Sequence, residues 1–475
     1  MSLYIPHHVL KIIDLLEQNG ASDVLLVGGC VRDGLLNIPS KDYDIEVYGL
    51  SYAQIRAILS PHFYVDVVGQ SFGVLKVGRD VDVALPRRES KVGLGHKGFS
   101  VEATSALAPK EAFARRDFTI NAIGMRRDGS FYDPFDGIGD LDRKLLRATS
   151  PAFKDDPLRV LRGMQFSARF GFSTDSQTLR YCREVLPEFP TLPEERVYEE
   201  WKKWAIKGEH PELGLIFLRE SGWIEAFPEI AALIDCPQNP EWHPEGDVWT
   251  HTLAVCKEAA KIARTYKPEL TEEERLYILF SALAHDFGKP ATTKLDENGI
   301  LRSHKHDKVG SLIAREFFKK MKAPVRVFQT VEKLVNEHMT DINNPSVRAI
   351  QRLANRLAPA NIKLWALLRQ SDALGCGSPE RHLAGDSGLG PLPREQAEKK
   401  IKFQMNFWLE AAERLQLKET APRPLINGRD LIPLGIKPGP KMGKILKRAF
   451  EAQLDDCFST IEDGLKYVQQ AGWLK

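Results

Sequence analysis

Paired cysteines are missing from this chain of 475 residues. Its six cysteines (Cys30, Cys182, Cys236, Cys256, Cys376 and Cys457) are scattered, with no Cys-x-x-Cys among them. That scatter argues against a disulfide framework and predicts reduced thiols in a cytoplasmic protein. Long hydrophobic runs are also missing. One of the longest, Leu276–Ala284, is about half of the ~20 residues a membrane-spanning helix needs. The opening "MSLYIPHHVLKIIDLLEQNG" reads as an amphipathic helix ending at Gly20, with no small-residue cleavage site. A soluble protein with no membrane partner is expected. Charge of one sign is not in excess either, since 66 Lys and Arg meet 64 Asp and Glu for a net +2. A nucleic-acid partner is permitted but not demanded, and any phosphate-binding surface must be local. The glycine pair in "LLVGGCVRDGLL" is neither GxGxxG nor a Walker loop, so a Rossmann or P-loop assignment finds no support there. There is no internal repeat and no low-complexity tract.

What remains is an ordinary globular composition, 43% apolar and 27% charged. The length suggests about three or four modules. Two textures are visible. Up to about residue 145, β-type runs such as "DVLLVGG", "DYDIEVYGL" and "FGVLKVGRDVDVAL" alternate with helical stretches and glycine turns. From "DDPLRVLRGMQFSARF" onward, apolar residues recur mostly at helical spacing. Proline- and glycine-rich seams fall near 187–195, 236–247, 385–393 and in "TAPRPLINGRDLIPLGIKPGP". The fold expected is α+β, a small α/β head before an all-helical body.

Two groups of residues carry chemistry. In "LLVGGCVRDGLL" a strand meets a Gly28-Gly29 turn and then a helix starting near Val31. Such glycines let phosphate oxygens approach backbone N–H groups at a helix N-terminus, and Arg32 could add a guanidinium fork. By itself the pattern fits a plain tight turn better. In "KDYDIEVYGL" a strand would put Asp42 and Asp44 on one face, about 7 Å apart at Cα. "RDVDVAL" offers Asp82 as a third carboxylate. This set suits two Mg²⁺ ions clamping an in-line phosphoryl displacement, and clustered carboxylates repel unless cations sit among them. The alternative is a solvent-facing polar strand edge. Farther on, six of the twelve histidines fall between 243 and 338. His251, His285 with Asp286, His304, His306, His338 and Asp372 come from separate helical stretches. Imidazoles and carboxylates delivered this way suit a divalent metal that activates water.

The pieces "GGCVRD", "KDYD", "RRDFTINAI", "DPFDGIGDL" and "DDPLRVLRGMQFSARF" fall in order over residues 28–170. Together they resemble the nucleotidyltransferase superfamily, specifically the tRNA nucleotidyltransferases (CCA-adding enzymes) and the related bacterial poly(A) polymerases. The resemblance implies that "RRDFTINAI" lines a nucleotide pocket, with Arg116 meeting the triphosphate while Asp117 and Asn121 place the ribose and shape the fold. A buried amide serving the backbone is the plainer role for Asn121. Asp156, Arg159 and Arg162 stand at i, i+3 and i+6, which predicts one helical face, and the resemblance implies that Asp156 and Arg159 read the incoming base. Cytosine and adenine each show an amino donor beside an unprotonated ring nitrogen, which a carboxylate and a guanidinium can match. Uracil and guanine show the reverse and would leave both groups unpaired. Two departures stand out: Asp155 where the family has glutamate, and Gln165 where it often has arginine. Glycines and basic residues in "LPRRESKVGLGHKGFS" predict a mobile loop, and the resemblance implies that it helps such an enzyme switch from CTP to ATP.

The histidine order resembles the HD metal-dependent phosphohydrolases. His251, His285, Asp286 and Asp372 match their ligand positions, and His306 and His338 match extra positions seen in some members. The combined resemblance implies a nucleotidyltransferase head over 1–147 and a helical neck binding nucleotide and RNA over 148–240. An HD domain over 241–395 and a helical, tRNA-contacting tail over 396–475 would follow. In the tail, Lys437, Lys441, Lys444, Lys447 and Arg448 could touch RNA phosphates or form a solvated helix face. It also implies Mg²⁺ at Asp42 and Asp44, a second divalent metal in the HD domain, and CTP, ATP and a tRNA 3′ end as partners, with no protein partner. CC-, A- or poly(A)-restricted addition stays open, as does an HD phosphohydrolase whose head merely binds RNA ends.

Overall fold

The structure, a computed structural model, describes residues 5–66, 73–91, 99–103, 107–341, 346–377 and 393–473. The chain divides into two units, Met1–Ala226 and Phe227–Lys475.

In the first unit, strands β1 (Asp23–Val27), β2 (Tyr43–Tyr48), β3 (Val65–Asp66), β4 (Val74–Val77) and β5 (Val81–Ala84) build most of one sheet. A separate antiparallel pair, β6 (Arg87–Lys91) and β7 (Phe99–Ala103), follows, and β8 (Gly124–Met125) and β9 (Phe131–Tyr132) complete the sheet. Its order is β3-β4-β5-β2-β1-β8-β9. The sheet is mixed, because β2 runs parallel to β5 while its other pairings are antiparallel. The expected loop in "LPRRESKVGLGHKGFS" is corrected in part: Arg87–Lys91 is a strand, and residues 92–98 lie outside the described ones.

Helices α1 (His7–Gln18), α2 (Gly29–Leu35), α3 (Tyr52–Leu59), α4 (Pro109–Ala114) and α5 (Gly137–Asp142) accompany the sheet. After them come α6 (Leu158–Phe170), α7 (Ser176–Val185), α8 (Glu194–Lys207) and α9 (Pro211–Glu220). Val24 to Val27 of β1 are all buried, the signature of a central strand covered on both faces. Leu25, Val27, Tyr48, Phe113 and Ala122 pack into one cluster below the sheet–turn junction. Phe118 meets Phe153 and Phe166 edge-on, with ring centroids 5.4 and 5.7 Å away. Those rings weld the "RDFTINAI" turn to α6, so both are fixed as one wall.

The second unit holds α10 (Val248–Thr265), α11 (Glu272–Ala284), α12 (His306–Lys320), α13 (Val325–Glu337), α14 (Val347–Leu357) and α15 (Ile362–Gly375). The tail adds α16 (Arg394–Arg414), α17 (Pro440–Leu454) and α18 (Ile461–Gln470). Large apolar rings fill the interior: Phe280 stacks on Phe318 at 4.4 Å, and Trp365 packs on Trp408 at 4.9 Å. The expectation of an all-helical body needs one amendment, since Thr293–Leu295 and Leu301–Ser303 pair as an antiparallel hairpin. The β-branched Thr293 and the alternating Leu-Arg-Ser suit an exposed two-stranded turn better than a helix. The seam expected at 385–393 lies almost wholly outside the described residues. Among the described residues no helix is long and apolar enough to cross a membrane.

Candidate functional site

In the first unit a cavity of about 840 Å³ opens between the sheet and helices α6 and α8. Gly28, Gly29, Arg32, Asp44, Arg116, Asp117, Asn121, Asp156, Arg159, Arg162 and Gln165 all line it. A second cavity adjoins it, sharing Asp44, Arg116 and Arg159 and adding Asp82. Residues expected from four separate sequence pieces are thus brought to one cleft.

Gly28 sits at the sharp turn between β1 and α2 with φ +72°, a backbone state that favours glycine. A Cβ there would lie 3.2 Å from Arg116 Nη1 and 3.8 Å from Asp44 Oδ2. The missing side chain therefore keeps the acidic strand end and the arginine open to the cleft. Asp44 and Asp82 are direct neighbours in the parallel register of β2 and β5. Asp44 stands open at the cleft, yet its pKa is raised, first by the surrounding protein and then by the Asp82 charge, against a lowering pull from Arg116. Hard-oxygen donors set side by side suit a hard divalent cation such as Mg²⁺ or Mn²⁺.

Asp42 differs from its expected place. It is exposed and precedes β2 by one residue, because the ladder starts with the Tyr43 N–H bonded to Asp80 O at 2.8 Å. It lines neither cavity, though it is near enough to contribute to the raised Asp44 pKa.

The helical placement of the base-reading set is corrected as well. Asp156 is not on α6. It precedes Pro157 in extended backbone (φ −121°, ψ 108°), where the proline ring pushes a residue out of the helical region. Its Oδ1 instead caps α6 by accepting the Leu158 N–H at 3.0 Å, and its Oδ2 accepts from Arg196 Nη2 of α8 at 3.2 Å. The Arg159 guanidinium donates to Ala152 O at 2.6 Å and Arg115 O at 2.7 Å. Asp155 faces Arg115 at 3.4 Å.

Behind these residues lies a bonded wall. Arg32 donates to Asp33 at 2.8 Å and to Asn121 Oδ1 at 2.5 Å, while its guanidinium lies over Phe166 and Phe170. Asn121 donates to Asp117 Oδ1 at 2.9 Å, and Arg162 donates to Asp117 Oδ2 at 2.6 Å. Burial alone would raise the Asp117 carboxyl. Arg162 and the Asn121 hydrogen bond outweigh it and bring the pKa down to about 2. Two residues escaped the sequence reading. Glu46, on the strand face of Asp44, is buried and accepts from Arg116 Nη2 at 2.7 Å; the period-2 continuation Asp44, Glu46, Tyr48 could have signalled it. Arg196 lies on another helix, and no local pattern links it to Asp156.

In the second unit the histidines converge at helix ends. His251 is on the second turn of α10, whose first turn is capped by the Asp247 side chain accepting from the Thr250 N–H. His285 and Asp286 follow α11 directly, His306 opens α12, His338 follows α13, and Asp372 lies near the end of α15. At Gly288 a Cβ would sit 2.1 Å from His306 O and 2.6 Å from Gly310 N, so only glycine lets the His285–Asp286 turn close on α12.

Each imidazole is oriented from behind. Nδ1 of His285, His306 and His338 donates to the carbonyls of Ala282, Ser303 and Val335 at 2.8, 2.7 and 2.6 Å. A carbonyl only accepts, so the proton is on Nδ1 and the Nε2 lone pair points inward. His306 and His338 bring Nε2 within 3.2 Å of one another, as do His251 and His285. His251 Nε2 meets Asp372 Oδ1 at 3.1 Å. Asp286 spans the set, its Oδ2 lying 3.2 Å from His285 and its Oδ1 3.4 Å from His306. Two groups that share Asp286 close to within 4.8 Å, His251–His285–Asp286 and Asp286–His306–His338. Burial, then the neighbouring imidazoles, pushes His338 down to about 3, so it is a neutral donor. Inward lone pairs that oppose one another fit a divalent cation better than they fit each other. A cavity of about 310 Å³ opens onto this cluster, walled in part by Lys289, Arg302 and Arg369. His304 lines that cavity outside both groups.

Residues 24–147 match the family model described as the poly A polymerase head domain, and residues 248–368 match the HD domain. The "Multifunctional CCA protein" of Aliivibrio salmonicida (strain LFI1238) is 34% identical over 404 residues, covering 83% of this chain and 92% of that protein. Its counterpart in Vibrio campbellii (strain ATCC BAA-1116) is 35% identical over 384 residues, 79% and 88% of the two chains. Among solved structures, the fold is similar to the Bacillus stearothermophilus CCA-adding enzyme in complex with CTP, with TM-score 0.58 and 21% identity over 98% of this chain and 96% of that one. A CCA-adding enzyme in complex with ATP superposes with TM-score 0.56 at 18% identity, over 97% and 94%.

Proposed function

The chain belongs to the family of the multifunctional CCA proteins, and on that premise we propose that it is a template-independent nucleotidyltransferase building or repairing the 3′-terminal CCA of tRNA from CTP and ATP. The observation that carries this is the single cleft gathering Gly28, Asp44, Arg116, Asp117, Asn121, Asp156 and Arg159.

Mg²⁺ held by Asp42 and Asp44 would polarise the α-phosphate and make the tRNA 3′-hydroxyl easier to deprotonate. The chain supplies the rest. Backbone N–H groups after Gly28 and the Arg116 guanidinium receive the triphosphate, with Glu46 steadying Arg116 from behind. Asp82, beside Asp44 in register, is placed to accept the hydroxyl proton at a carboxylate oxygen. Asn121, held by Arg32 and Asp117, and the Asp117–Arg162 pair keep the ribose side rigid. Asp156 Oδ2 accepts the amino group of cytosine or adenine, and Arg159 donates to the adjacent ring nitrogen. Asp156 also meets Arg196, and Arg159 also meets two backbone carbonyls, so base entry exchanges these partners for the base edge.

The second unit is proposed to be a metal-dependent phosphohydrolase, with His251, His285, Asp286 and Asp372 as ligands and His306 and His338 completing a second position on Asp286. Metal bound there would activate water, and Lys289, Arg302 and Arg369 would receive the phosphate.

The first reading is tested with transcribed tRNA ending before CCA, offered CTP alone, ATP alone, and both. Addition of C and C with CTP, completed by a single A when ATP joins, is expected. Long tracts from ATP alone would overturn it in favour of poly(A) synthesis.

A further inference from the structure

Glu245 stands six residues before His251, in the loop leading into α10, with its carboxylate only 10% exposed. Its Oε1 accepts from Nδ1 of His251 at 2.9 Å and from Nδ1 of His243 at 2.9 Å. Its Oε2 accepts the backbone N–H of Gly377 at 2.9 Å. Gly377 lies just past the end of α15, the helix that carries Asp372. One buried carboxylate therefore touches one expected ligand, His251, and the end of the helix that carries another.

We propose that Glu245 is a positioning residue for the divalent-metal centre of the second unit. It holds the His251 proton on Nδ1, which leaves Nε2 as the inward donor, and it ties the His251 segment to the end of the Asp372 helix. The proposal rests on reading that cluster as a metal centre.

The donor chemistry separates this role from that of a ligand. Glu245, His243 and His251 form a group tight enough to hold an ion. The nitrogens facing Glu245 are both Nδ1, however, and both aim at a single oxygen. Two N–H donors sharing one carboxylate oxygen is a hydrogen-bonding pattern; a cation there would need both protons removed. The three other inward histidines satisfy Nδ1 with backbone carbonyls. His251 alone uses a carboxylate, which makes its imidazole the most electron-rich donor of the set. Independent contacts bind the same segments: Cys376 Sγ donates to Trp242 O at 2.8 Å, and a Cβ on Gly375 would fall 2.6 Å from Val255 Cγ2 of α10. The loop and the helix end thus stay docked without Glu245, and the carboxylate is left to orient the ligand.

The test uses the full chain with Asp44→Ala, so that the head contributes little metal binding, stripped by chelator and titrated with Mn²⁺ alone while free Mn²⁺ is read by electron paramagnetic resonance. Glu245→Gln is expected to weaken binding about 10- to 100-fold, with the metal-free melting temperature unchanged and Glu245→Asp restoring part of the affinity. Unchanged affinity in Glu245→Gln, or an affinity loss matched by a fall in metal-free melting temperature, would overturn the positioning role. His285→Ala is the control. If the parent shows no Mn²⁺ binding that His285→Ala removes, the metal reading itself fails, and this inference with it.

Discussion

Arg162 donates its Nε proton to Asp117 Oδ2 at 2.6 Å, joining the middle of α6 to the turn that follows α4. Asp117 is buried and its second oxygen accepts from Asn121, so the carboxylate is held charged inside the protein.

The pair makes folding pH-dependent with a defined sign. The folded pKa of about 2 lies below the ordinary 3.8, so its stabilisation is complete above about pH 4 and is lost as pH falls toward 2. The difference corresponds to about 2 kcal/mol. Arg162→Met leaves a buried carboxylate unpaired and is expected to destabilise the first unit by about 3 kcal/mol at pH 7, with a smaller penalty at pH 3. Urea unfolding at the two pH values checks this; equal penalties would contradict it.

Asp44 and Asp82 are adjacent across parallel strands, and Asp42 is exposed one residue before β2 begins. Asp42→Ala, Asp44→Ala and Asp82→Ala are each expected to lower CTP incorporation into truncated tRNA by at least about 10²-fold. Asp44 and Asp42 are open to solvent, so their melting temperatures should hold or rise as repulsion among the carboxylates is relieved. Primer-extension rates and thermal melts on the same preparations measure both.

Base choice is expected to follow Asp156. Asp156→Asn replaces an obligate acceptor by a side chain that can also donate, which suits O4 of uracil as well as N4 of cytosine. The CTP-over-UTP ratio of kcat/KM should fall by about 10²-fold. Arg196→Ala frees the same carboxylate oxygen and is expected to change KM for CTP and ATP more than kcat, leaving UTP excluded. A ratio unmoved by Asp156→Asn would place base reading elsewhere.

Activities of the two units should separate. Asp286→Ala removes the carboxylate shared by both histidine groups and is expected to abolish Mn²⁺-dependent release of phosphate from a phosphomonoester, while C and A addition continues. Gly288→Ala forces a Cβ against His306 O; an overpacked backbone of this kind costs about 1–3 kcal/mol, and a loss of metal affinity should accompany the lower melting temperature.

Much of the site was legible because it is local. Gly28-Gly29 at a strand end, acidic residues around a strand start, and a histidine–aspartate pair after a helix each declare their chemistry within a few residues. The errors were also local in origin. Asp156 was expected on a helix by spacing, but Pro157 stops the backbone one residue short, and the same carboxylate becomes the cap. The head loop was expected from its glycines and charges, although part of it pairs as a strand.

The partners of these groups could not be read that way. Arg196 meets Asp156 from 40 residues away, and Glu46 meets Arg116 from 70 residues away. Glu245 reaches Gly377 from 132 residues away. Sequence alone determined which chemistries are present, because a side chain's acidity, donors and turn preference are properties of the residue and its near neighbours. Tertiary structure decided which groups are spoken for and which face the cavity, because hydrogen-bond geometry within about 3 Å depends on how distant segments pack.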